Sequence, residues 1–136
     1  MDATIRQRAI ELVEKAGDAV LTSIDGEGYP RAVPMAKVKA EGMETIWFST
    51  STSSRKVKHF AANPKAGVCF FEPGKTVSLV GEIEVVEDME LKKALWIDWF
   101  IEHFPGGVTD PEYCLMKFTA KRASLWLGDV FDDFDL

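Results

Sequence analysis

A chain of 136 residues, 46% hydrophobic and 11% aromatic, has the size and apolar content of one domain with a core of its own, so residues 1–136 are expected to form a single unit. Its formal net charge of −6 opposes the phosphate backbone of nucleic acid and an anionic lipid surface alike, which argues against nucleic-acid and membrane partners and leaves a single small anion at a local basic spot. The opening residues run into a charged amphipathic segment rather than an apolar signal core, and no long uncharged apolar stretch follows, so a cytoplasmic location is expected.

Ile5, Ala9, Leu12, Val13 and Ala16 recur at helical spacing, with Gly17 placed to cap the end, and predict an amphipathic helix over one end of a core. Residues 19–24 read as a buried strand, Asp25-Gly26-Glu27-Gly28 as a hairpin turn, and 29–38 as the returning strand, interrupted by Pro30 and Pro34. Gly42 introduces a third strand over 44–50. A hydroxyl-rich break at 51–54 precedes a short helix with Val57, Phe60 and Ala61, ended by Asn63-Pro64. Residues 68–71 form a short, wholly apolar strand. Beyond it Val77, Leu79, Ile83 and Val85 alternate with Ser78, Glu82 and Glu84, the period of a strand with one wet face, with Gly81 at a bend.

Asp88 caps a longer helix whose stripe of Leu91, Leu95, Trp99 and Phe100 continues weakly to Phe104, and Trp96 and Trp99 read as core or interface residues of it. The last strand alternates through Cys114, Met116, Phe118 and Ala120, then shifts phase to Ala123, Leu125 and Leu127. That shift predicts a bulge near Lys121-Arg122 and turns Trp126 to the opposite face. The tail, 129–136, mixes acids with aromatics without a readable period, and packing on a partner subunit is one use for it. Six mostly antiparallel strands, a helix at the start and helices in two crossovers predict a mainly β, α+β fold built on a small antiparallel barrel. Cys69 and Cys114 read as buried thiols, and His59 and His103, without ligand-spaced partners, are assigned no catalytic or metal role.

Chemistry concentrates at 54–56. Arg55 and Lys56 occupy the first turn of the short helix, where unpaired backbone N–H groups already carry partial positive charge and acids are the usual occupants. Two cations there point to a bound anion, with the serines and threonines of 50–54 as further donors; on the local pattern alone a capped, solvated helix start reads equally well. Pro34 cannot donate to a ladder, so one side of its strand is expected to be open, either to protect an edge or to receive a planar ring against the backbone of Val33, Met35 and Ala36. Trp126 stacks on a ring system or fills the core.

Arg31-Ala32-Val33-Pro34-Met35, Trp47-Phe48-Ser49-Thr50, Ser54-Arg55-Lys56-Val57 and Asn63-Pro64, in that order and at those intervals, resemble the pyridoxamine 5'-phosphate oxidase-like superfamily of flavin-binding split barrels, especially its short general-stress-protein-like members. The resemblance covers about residues 5–128 and implies a six-stranded antiparallel split barrel of Greek-key type. It further implies a homodimer with two sites for flavin mononucleotide (FMN), each built from both chains. Arg55 and Lys56 would then grip the phosphate with Ser49, Thr50 and Ser54, while Arg31, Val33, Pro34 and Met35 line the isoalloxazine. Thr76, where related oxidases commonly carry glutamine, and Trp126 would approach from the other subunit.

The resemblance also implies a flavin-dependent oxidoreductase acting on a small molecule, with reduced nicotinamide as a donor. In such a site the cofactor does the chemistry, so no catalytic residue is assigned. True pyridoxamine phosphate oxidases carry a C-terminal arginine- and histidine-bearing segment. Here only Leu127, Gly128 and an acidic tail follow Trp126, which argues against vitamin B6 oxidation. A non-catalytic flavin binder or delivery protein, a barrel adapted to haem or deazaflavin, and a ligand-free dimerisation domain stay open as alternatives.

Overall fold

The computed structural model describes residues 3–136; Met1 and Asp2, at the head of the charged opening segment, lie outside the described residues. In chain order the elements are α1 (Ala3–Lys15), β1 (Asp18–Ile24), β2 (Pro30–Glu41), β3 (Thr45–Ser51), α2 (Arg55–Ala62), β4 (Lys65–Glu72), β5 (Lys75–Val86), α3 (Met89–Ala94), 3-10 turns at Asp98–Glu102 and Gly107–Thr109, β6 (Tyr113–Leu127) and β7 (Phe131–Asp135). The sheet runs β3-β2-β1-β4-β5-β6-β7, and a ladder from Thr45↔Thr119 to Ser51↔Tyr113 joins β3 to β6, closing six strands into an antiparallel barrel.

Alternation decides which side chains fill it. Leu21, Val68, Phe70, Val77 and Leu79 point inward and are buried, and Ala9, Leu12 and Val13 of α1 plug one end. Along β6 the pairing passes from Gly81↔Ala120 to Val80↔Arg122, skipping Lys121. This is the expected bulge, and it returns Ala123, Leu125 and Leu127 to the interior. Gly81 sits opposite it because nothing larger fits: an added Cβ would run into the Thr119 carbonyl oxygen and lie 2.9 Å from Ala120 Cα. A second cluster, with Trp47, Phe100, Phe104, Tyr113 and Leu115, lies outside the barrel wall.

Several local expectations change. The tail, which shows no clear period, forms β7 on β6, with Phe134 opposite Ala123 and packed on the core cluster and Phe131 opposite Trp126. The helix after Asp88 is not continuous. Asp88 caps it as expected, accepting from Glu90 and Leu91 N–H, but α3 ends at Ala94, and Trp96 instead packs edge-on against Phe100 and Tyr113. Trp99 is 46% exposed in the single chain, so of the two expected roles, core or interface, it does not fill the first. Because β5 and β6 are neighbours, this segment is an excursion between paired strands, not a crossover. Gly17 does not take the left-handed cap conformation; α1 stops at Lys15 and the Gly17 carbonyl accepts from Lys37 N–H. The strand expected at 68–71 runs longer, with Phe71 exposed and Cys69 half-buried.

Candidate functional site

The barrel is split between β2 and β3. They pair from Glu41↔Thr45 to Lys37↔Phe48, with an irregularity between Lys37 and Lys39, and no further. Residues 30–36 therefore pair only with β1, and Ser49, Thr50 and Ser51 only with β6. Pro34 stands mid-way along the free stretch, opposite Val20 of β1, so the side of the strand turned to the split is open, as its missing N–H requires.

α2 begins at the end of this split. Its N-cap, Ser54, makes no side-chain capping bond, and Thr50 Oγ1 lies 3.3 Å from Ser54 Oγ, so the two hydroxyls meet where the first-turn N–H groups are unpaired. The first turn holds no acid, and neither Arg55 nor Lys56 has an ion-pair partner among the described residues. Two of the hydroxyls in 50–54 turn elsewhere: Thr52 donates to the Pro111 carbonyl at 2.9 Å and Ser53 to Glu112 at 2.6 Å, tying this loop to the start of β6.

Two cavities adjoin the split. One, of about 260 Å³, lies between α2 and the β1–β2 hairpin and is lined by Arg31, Val33, Arg55 and Lys56 together with Ser23 and His59. The other, of about 300 Å³, has Pro34, Met35, Ser49 and Thr50 on its walls and Trp99 and His103 across from them. Arg31 reaches Asp25 at 3.5 Å. The Tyr29 and Glu27 N–H groups, with Arg31, hold the Asp25 carboxyl below the usual carboxylate range, against a smaller opposing effect of burial.

The structure thus gathers nine of the eleven expected site residues, Arg31, Val33, Pro34, Met35, Ser49, Thr50, Ser54, Arg55 and Lys56, around one opening. Thr76 and Trp126 line neither cavity. They face each other across β5 and β6, and Trp126 donates to the Gly128 carbonyl at 2.8 Å while stacking on Phe131, ring centroids 5.9 Å apart. Sequence reasoning missed Ser23 and His59. The signal available was the spacing of His59 four residues after Arg55, which puts both on one helix face.

An elongated phosphate ester fits what is present: cations without acidic partners among the described residues and a pair of hydroxyls, Thr50 and Ser54, at one end, an open strand edge beside it. Burial pushes the Cys114 thiol up to about 11 and raises that of Cys69, so neither offers a thiolate nucleophile near neutral pH. Among the described residues no group of three or more His, Cys, Asp or Glu is placed to hold a metal ion, and no helix is long and apolar enough to cross a membrane.

Known proteins place this geometry. A pyridoxine/pyridoxamine 5'-phosphate oxidase of Anaeromyxobacter dehalogenans is 35% identical over 74 residues, covering 53% of this chain and 37% of that enzyme, so the match spans little more than a third of the curated relative. The crystal structure of a Clostridium acetobutylicum protein related to general stress protein 26, of the pyridoxinephosphate oxidase family, matches 100% of this chain and 97% of its own with a TM-score of 0.90 and 29% identity. A general stress FMN/FAD binding protein from Xanthomonas citri shares the fold, with a TM-score of 0.80 over 95% of this chain and 92% of that one at 20% identity. With the pyridoxamine 5'-phosphate oxidase like family model matching residues 5–130, the split barrel described above belongs to that family.

Proposed function

We propose that this chain binds FMN in the β2–β3 split and works as a flavin-dependent oxidoreductase on a small molecule, as a homodimer. The observation that carries the reading is the junction of the open β2 edge with an α2 first turn whose cations have no ion-pair partner among the described residues and whose N-cap hydroxyl makes no capping bond, meeting only Thr50 Oγ1. Arg55, Lys56, Ser54 and Thr50 hold the phosphate there, charge-assisted donors meeting a dianion at a helix start. Backbone groups of 33–36, unpaired toward the split, orient the ring. Bound flavin supplies the electron transfer, with a small acceptor or reduced nicotinamide as redox partner; the chain supplies position and charge.

A second copy suits the outer sheet face. Pro34, Val20, Cys69, Ser78 and Ser124 are successive uncharged partners across five strands, and the next row, Ala32, Thr22, Gly67 and Val80, is uncharged until it reaches Arg122 on β6. An antiparallel sheet that faces water on one side ordinarily alternates toward polar and charged residues there. Thr76 and Trp126 stand on this same face, two residues from Ser78 and Ser124. Pairing through it about a twofold axis brings Thr76 and Trp126 of one subunit toward the split of the other. Vitamin B6 phosphate oxidation is not proposed, because Asp129, Asp132, Asp133 and Asp135 follow Trp126 where a substrate phosphate calls for cations.

The test is the absorption spectrum of the purified protein, followed by titration with FMN. A flavin spectrum, or saturable quenching of added FMN, is expected. A colourless protein that leaves FMN fluorescence unchanged overturns the reading. Anaerobic mixing with reduced nicotinamide tests the enzymatic part, bleaching of bound flavin being the expected result.

A further inference from the structure

The cavity between α2 and the β1–β2 hairpin holds one contact that the site so far leaves unused. Ser23 on β1 is 1% exposed, and its hydroxyl lies 2.8 Å from Nδ1 of His59, which lines the cavity with Arg31, Arg55 and Lys56. Among the described residues no acid lines it, in a chain whose net charge is −6. His59 falls one helical turn after Arg55, so the two share a face of α2.

We propose that His59 is a further ligand of the phosphoryl group bound in this cavity and that Ser23 is its positioning residue. The buried hydroxyl donates to Nδ1, which fixes the ring and leaves the proton on Nε2, the nitrogen free to donate to a phosphate oxygen. Three basic side chains and one imidazole N–H then surround a phosphate monoester, with Ser23 setting the direction of the fourth donor. The inference deepens the flavin reading and rests on it only for the identity of the ester. The competing role, a pin that merely fastens α2 to β1, involves the same contact but makes no distinction between ligands with and without phosphate.

That distinction is the test. FMN and riboflavin affinities are measured for the wild type, His59→Phe and Ser23→Ala. His59→Phe is expected to weaken FMN about tenfold, and Ser23→Ala by less, with riboflavin unchanged in both. Equal losses for both flavins, or none for either, overturn the proposal. If His59→Phe does not fold, Ser23→Ala carries the same comparison.

A second readout is independent of flavin. The chain has two histidines, so the imidazole proton resonances of His59 can be followed against those of His103 as inorganic phosphate is added. A shift at His59 alone, abolished by Arg55→Ala, is expected, and no shift at millimolar phosphate overturns the assignment. A wild type that binds neither flavin defeats the flavin reading, while the phosphate titration still decides on His59.

Discussion

Lys37 and Phe48 are the last residues paired between β2 and β3, and the split begins at that pair. Lys37 is held there by α1: its Nζ donates to the carbonyls of Val13 and Glu14, each at 2.7 Å, and its N–H to Gly17. Those carbonyls are the unpaired ones at a helix end, which a cation satisfies. The fork is therefore fixed by packing outside the split.

Removing either first-turn cation is expected to weaken FMN binding. In the proposed site Arg55→Ala and Lys56→Ala each delete a charge-assisted contact of about 1.5–3 kcal/mol, roughly a tenfold to hundredfold loss of affinity, with little change in thermal midpoint because neither side chain has an ion-pair partner among the described residues. Fluorescence titration checks this, and unchanged affinity in both variants means the cations are merely solvated.

Val80→Glu places a carboxylate at the end of an uncharged row on the outer face, opposite Arg122, at a residue 51% exposed in the single chain. If the proposed dimer forms through this face, sedimentation is expected to report a monomer and FMN affinity to fall with it, since Thr76 and Trp126 would then lose the partner site proposed for them. A variant that stays dimeric locates the interface elsewhere.

Gly81→Ala drives a methyl group into the backbone of the facing bulge, with Ala120 Cα only 2.9 Å away. The expected loss is at least about 1–3 kcal/mol, the range of overpacked sites, read from the urea midpoint. A midpoint equal to wild type shows that the bulge gives way freely.

Asp25→Asn tests the hairpin that presents Arg31. The folded carboxyl titrates below its unfolded range, so its ionised form stabilises the fold above that range and the contribution disappears as pH falls through it. Melting curves are expected to show the variant less stable than wild type at neutral pH and the difference closing toward acid. A gap that is constant with pH removes the carboxylate from the account.

Phe131→Ala removes the ring stacked on Trp126 while leaving the indole bond to Gly128. A red shift of Trp126 emission is expected, absent in a Trp126→Phe background, with a stability loss of about 0.5–1.5 kcal/mol. An unshifted spectrum means that the indole keeps its surroundings without the tail.

Much of this was readable from side-chain order. Strands with a strict two-residue alternation, such as Val77–Leu79 and Ala123–Leu125, could be placed, and so could the bulge, because a phase shift is a local event. The open flank of Pro34 followed from its missing N–H, and Arg55-Lys56 from charges of the wrong sign for a helix start. What escaped was non-local. The break at Trp96 arises from its packing against Phe100 and Tyr113, which overrides the helical period. β7 escaped because its two phenylalanines stand three residues apart among acids, with no two-residue period, on a strand whose identity depends on β6 being alongside. His59 escaped because its partner, Ser23, lies on another element.

The ladder that closes the barrel joins Thr45, about a third of the way along the chain, to Thr119 close to its end. Contacts so distant in sequence form only after a large loop has been ordered, so they set the pace of folding. During synthesis β1 to β5 emerge before β6, leaving β3 and β5 with bare edges until the last strands are released. An edge of that kind pairs readily with another chain. Closure is thus the step that separates productive folding from aggregation, and substitutions within Tyr113–Leu127 will be felt in yield from the cell before they are felt in the finished protein.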